Sequence, residues 1–128
     1  MYSLFKNLCA ITLSVTAATA LATPTHYITH NDTDLLTNVI VNGTESPFPT
    51  FPHSTRKIAW RMVKLGCGRA PNGMCAVLIK IRTDTSDPIE IGTLYMDMNS
   101  GELTPQSISA NGYTVNVLGA AEVAIAQK

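Results

Sequence analysis

The chain lacks any run of about 20 apolar residues, the length that crosses a bilayer as a helix, so no transmembrane segment is expected in the mature protein. It also lacks the spacings that announce catalysis. Gly-x-Ser-x-Gly, His-Glu-x-x-His and glycine-rich phosphate loops are all absent. No spacing links a serine nucleophile to a histidine base, and Asp84 and Asp87, flanking Ser86 and Pro88, read as turn chemistry. No catalytic residue, resident metal or cofactor is therefore expected. Charge of one sign is not in excess, with Lys+Arg 9 against Asp+Glu 9. Aromatics are 6% and do not alternate with basic residues, so nucleic acid is not an expected partner.

Cysteine is scarce, and the segment around the first one explains its place. Met1–Lys6 carries one cation and no acid, Leu8–Val15 is apolar, and Ala20-Leu21-Ala22 supplies the small residues a signal peptidase reads. Thr12, Ser14, Thr16 and Thr19 interrupt the apolar stretch, which argues for a cleaved export signal over an anchor. A lipoprotein signal does not fit, because Cys9 follows Leu8 and lies ahead of most of the apolar stretch. The expected cut after Ala22 leaves residues 23–128 as one exported domain, periplasmic or extracellular. The Ala-x-Ala cut suits a bacterial source, where the sequons Asn31-Asp32-Thr33 and Asn42-Gly43-Thr44 read only as turns. Losing Cys9 leaves Cys67 and Cys75, an even pair in an oxidising compartment, so a disulfide is expected. Their spacing is not Cys-x-x-Cys, and two further zinc ligands are missing nearby.

Period two dominates the mature region and no helix stands out. Strands are expected at Thr25–His30, Leu35–Asn42, Ile58–Leu65, Cys75–Thr83, Ile89–Met98, Glu102–Ser109, Tyr113–Leu118 and Glu122–Ala126. Val77, Ile79 and Ile81 share one face. In Ile89–Met98 the apolar parity changes at Gly92, which predicts a β-bulge there. Asn42-Gly43, Asn72-Gly73 and Asn111-Gly112 read as tight turns. Pro47, Pro49 and Pro52 make Thr44–Ser54 a crossover between sheets rather than a strand. About eight short strands with turns at roughly ten-residue intervals predict an all-β fold, a small antiparallel β-sandwich, with a small β-barrel as the alternative. It is immunoglobulin-like in architecture only, because the two distant cysteines flanking a tryptophan are absent. Ile58–Leu65 and Cys75–Thr83 are expected to pair as a hairpin stapled by the disulfide.

Charge is unevenly distributed. Arg56, Lys57, Arg61, Lys64, Arg69, Lys80 and Arg82 follow one another with no acid between Glu45 and Asp84. On a hairpin they would gather into an anion-binding patch, with Arg61, Lys64, Arg69, Lys80 and Arg82 as its candidates. Strand alternation can split the patch, and Glu90, Asp97 or Glu102 can neutralise it across a strand. Phe48 and Phe51, between prolines, are candidate hydrophobic contacts.

The reading that follows is an exported, non-enzymatic binding module that contacts an anionic surface, a glycan or a protein partner. An alternative is an assembly component of the cell envelope or a secretion complex, offering Thr25–His30 as an edge strand. A third is a small hydrolase or metal-dependent enzyme using His30, His53 and nearby acids; His26 and His30 stand ~13 Å apart in a strand, too far to share one metal.

Overall fold

The computed structural model describes residues 22–128. The expected export signal, with Cys9 in it, lies outside the described residues apart from Ala22.

Ten strands form two five-stranded sheets packed face to face. The first sheet has the order β4 (Ser54–Ala59), β1 (His26–Asn31), β10 (Glu122–Gln127), β9 (Tyr113–Gly119) and β8 (Ser107–Ala110). The second has the order β3 (Thr44–Glu45), β2 (Thr37–Val41), β5 (Met74–Ile81), β6 (Ile89–Asp97) and β7 (Leu103–Thr104). Neither sheet closes on itself, so the fold is a sandwich and not a barrel. Alternation does the sorting. Val77, Ile79 and Ile81 on β5, Leu94 and Met96 on β6, Val115 on β9, and Val123 and Ile125 on β10 are buried between the sheets.

The bulge is where the change of parity placed it. Ile79 pairs with Gly92 and Lys80 with Glu90, so Ile91 is the extra residue. Gly92 takes a φ of 155°, which strains any other residue, and a Cβ there would also press on Ile108 Cδ1 at 3.0 Å. At the β2–β3 hairpin Asn42 and Gly43 both take positive φ, 48° and 86°, as a two-residue turn of this kind requires. The Thr44–Ser54 segment crosses from the second sheet to the first, after a two-residue start as β3.

Four expectations need correction. Trp60–Cys67 is a helix, α1, not the second half of a strand, and only Ser54–Ala59 before it is extended. Trp60, Val63 and Cys67 recur at helical spacing. Trp60 and Cys67 are buried and Val63 is half-buried against the core, while Arg61, Lys64 and Leu65 face solvent. Arg, Met, Lys and Leu are good helix formers. The helix ends at Gly68, whose φ of 55° breaks it and whose N–H donates to the Lys64 carbonyl at 3.0 Å. The expected hairpin of Ile58–Leu65 with Cys75–Thr83 therefore does not form. The Cys67–Cys75 disulfide is present, with Cα atoms 5.7 Å apart, and it ties the end of α1 to β5 instead.

Glu102–Ser109 is two strands in different sheets. Pro105 lacks an N–H for a ladder bond, and the chain changes sheet between β7 and β8. Finally, β1 is not an edge. It lies between β4, to which it runs antiparallel, and β10, to which it runs parallel.

Candidate functional site

The two sheets do not meet at the side where β4 and β3 are their respective edges. Two pieces of chain fill that side. One is α1, which continues directly from β4 and lays Trp60 and Cys67 into the core. The other is the proline-rich crossover, pinned from inside by Asn31. This side chain is fully buried, and its Nδ2 donates to the carbonyls of Leu35 at 2.7 Å, Thr50 at 3.1 Å and Phe51 at 3.1 Å. With its amide so engaged, the Asn31-Asp32-Thr33 sequon is closed to a glycan in the folded protein.

An apolar pocket of about 100 Å³ remains between α1, β3 and the crossover. Its floor is Tyr27, Val39, Val77 and Met96, and its walls include Phe48, Met62 and Gly66. Glu45 stands at the rim, with its carboxylate 3.4 Å from Asn38 Nδ2. Arg56, on β4, places its guanidinium 5.9 Å from the centroid of the Phe48 ring, a cation–π distance, and Nε donates to the Pro49 carbonyl at 3.1 Å. Phe48 is half-buried, whereas Phe51 is 59% exposed.

Behind the pocket is a smaller cavity of about 10 Å³, shared by Tyr27, Thr29 and Thr37. The hydroxyls of Tyr27 and Thr37 are buried without hydrogen-bond partners. Burial pushes the Tyr27 hydroxyl up to about 12, and the Thr29 hydroxyl offsets part of that rise without reaching hydrogen-bond geometry with it.

The basic segment is divided by the fold. Lys80, on the outer face of β5, lies 3.9 Å from Glu90 on β6. Arg82 lies 3.0 Å from Asp87 and donates to that residue's carbonyl as well. Arg61 and Lys64 are on the exposed side of α1 and Arg69 lies just past it, exposed. None of these three has a carboxylate partner among the described residues. Leu65, 75% exposed, sits among them.

The histidines are separate. His30 Nε2 lies 2.6 Å from Glu122 and Nδ1 lies 2.9 Å from the Thr55 hydroxyl. The row spans β4, β1 and β10 on the outer face of the first sheet, away from the apolar pocket. His53 pairs with Asp34 at 2.5 Å. Among the described residues no group of three His, Cys, Asp or Glu side chains could hold a metal ion. Sequence reasoning missed the pocket. The signal that points to it is Trp60-x-x-Val63-x-x-x-Cys67, a helical spacing inside a stretch read at period two.

Comparison with known proteins adds a family. A family described as "T2SS substrate NttC" matches residues 1–128. The crystal structure of the Legionella pneumophila type II secretion system substrate NttC is similar at 39% identity and a TM-score of 0.79, covering 82% of this chain and 99% of that one. Comparison with curated proteins finds no match. The chain belongs to the NttC family of type II secretion system substrates and is an exported protein, periplasmic or extracellular.

Proposed function

We propose that this exported sandwich is a binding module for an anionic partner, and that α1 carries the contact. The observation that supports it is the uncompensated charge at one edge of the sandwich. Arg61, Lys64 and Arg69 are exposed and unpaired among the described residues, while Lys80 and Arg82 are held by Glu90 and Asp87. Three exposed cations give a modest, salt-sensitive attraction, about 1 kcal/mol each beside an anionic surface. Leu65, exposed on the same helix, adds apolar contact beside them, and Phe48 and Phe51 remain the candidate contacts on the crossover. The export signal Met1–Ala22 belongs to the same proposal, and the intact mass of the exported protein should then begin at Thr23.

The test uses the oxidised mature protein with heparin, polyglutamate and phosphatidylglycerol vesicles as probes. At least one should bind at low salt and release as salt rises. The triple variant Arg61→Glu, Lys64→Glu, Arg69→Glu should lose that binding, and Lys80→Gln with Arg82→Gln should keep it. No binding to any probe at low salt, or binding indifferent to salt, sinks the proposal.

A further inference from the structure

Gly66 is the least expected residue of α1. Glycine is a poor helix former, and although Gly66 stands in the last turn of α1, nothing in the fold demands it there. Its backbone is helical, and a Cβ added at Gly66 would meet only Val41 Cγ1, at 4.0 Å. Neither a special φ nor crowding accounts for it. Gly66 does line the apolar pocket, as Phe48 does, and with no side chain it takes up none of that space.

The pocket's size limits what can enter. At about 100 Å³ it is smaller than the ~150 Å³ engineered cavity that takes benzene, and well below the roughly 300–1,000 Å³ of sites that enclose a whole small molecule. It fits one side chain. The lining itself carries one charge, the acid Glu45, while cations adjoin two other lining residues: Arg56 at Phe48, and Arg61 next to Met62 in the chain. Arg56 lies over Phe48 on the crossover side and has no carboxylate partner among the described residues, with donors to spare after its bond to Pro49. On α1, Met62 marks the lip, and Arg61 and Leu65 come next around the helix. The rim acid, Glu45, has its carboxylate beside Asn38. The free edge of β3, the outermost strand of its sheet, borders the same opening.

We propose that this opening docks an extended acidic segment of a partner polypeptide, which seats one aliphatic or aromatic side chain in the pocket between Phe48, Met62 and Gly66. Carboxylates on either side of that anchor meet Arg56 and Arg61. Residues of a strand laid along β3 alternate in direction, so those in phase with Thr44 point inward, toward the pocket. The proposal rests on the anionic-partner reading above and narrows it to a peptide with an anchor.

The experiment titrates the oxidised mature protein, labelled for methyl NMR, with the peptides Ac-Glu-Asp-Leu-Asp-Glu-NH2, its Leu→Ala form and its all-lysine form. The leucine peptide should shift the Val41, Val63 and Met96 methyls and bind at least about tenfold more tightly than the alanine form, since fully burying a leucine side chain is worth roughly ten- to a hundredfold. The lysine peptide should not bind. Gly66→Leu, which fills the pocket, should weaken the leucine peptide about tenfold and leave the alanine peptide unchanged. Gly66→Ala serves as the folded control, and should retain binding within about threefold while raising the thermal midpoint. Equal affinity for the leucine and alanine peptides, or full binding by Gly66→Leu, overturns the anchor. If heparin or vesicles then still bind in a salt-dependent way, the anionic-partner reading survives the loss. If nothing anionic binds, both fall.

Discussion

Asn42 Nδ2 donates to the Cys67 carbonyl at 2.6 Å, and Asn42 Oδ1 accepts from the Ala76 N–H at 3.3 Å. One turn side chain thus joins the β2–β3 hairpin to the last turn of α1 and to β5. The Cys67 carbonyl has no partner within the helix, so Asn42 completes the helix end.

Replacing Asn42 with glycine keeps the positive φ and removes only the amide. Asn42→Gly should cost about 1–2 kcal/mol, the worth of two net hydrogen bonds. Urea unfolding monitored through Trp60 checks this. A loss below a few tenths of a kcal/mol would show that water replaces the amide without penalty.

The disulfide acts at the same corner by another route. Closing a loop this short removes unfolded-chain entropy worth about 2.5 kcal/mol. Cys67→Ser with Cys75→Ser should lose about that much or more, because both positions are buried and serine adds polar groups there. Cys67→Ala with Cys75→Ala separates the two contributions. Unfolding curves that match in the oxidised and reduced wild-type protein would contradict the expectation.

Tyr27 supplies a pH signature. Its hydroxyl holds its proton up to about 12 in the folded chain, against an ordinary value of 10.0. Between those values the unfolded chain gives up the proton and the folded chain does not. The stability linked to Tyr27 is therefore intact below about pH 10 and declines as pH rises toward 12, by about 3 kcal/mol in all. Tyr27→Phe should flatten that decline. It should be as stable as the wild type or more so at neutral pH, because no hydrogen bond is lost with the hydroxyl. Denaturant midpoints measured from pH 8 to 12 in both proteins decide it.

Local signals carried most of the fold. Alternation in Val77, Ile79 and Ile81 marked the inner face of β5. The parity change at Gly92 marked a bulge, and Asn42-Gly43 and Asn111-Gly112 marked hairpin turns, whereas Asn72-Gly73 joins a helix to β5. The sequence around Trp60 supports two periods at once. Ile58, Trp60 and Met62 read as a strand, while Trp60, Val63 and Cys67 read as a helix. Only the gap between the sheet edges decides between them, and that gap exists in the folded chain alone. The run of cations is divided in a way only partly visible in the chain. Glu90 stood out as a candidate neighbour across a strand, and strand register brings it to Lys80, while Arg82 turns to Asp87 in the next loop. Pairing between the first and last strands was invisible, since no local pattern records a partner so distant in the chain.

That last pairing also sets an order of events. β1 lies against β10 as well as β4, so the first sheet cannot be completed until the final strand has been synthesised. Contacts this far apart in sequence form slowly. The second sheet does not wait, because its strands end at Thr104. The first sheet thus closes last, and that order is a property of the topology itself.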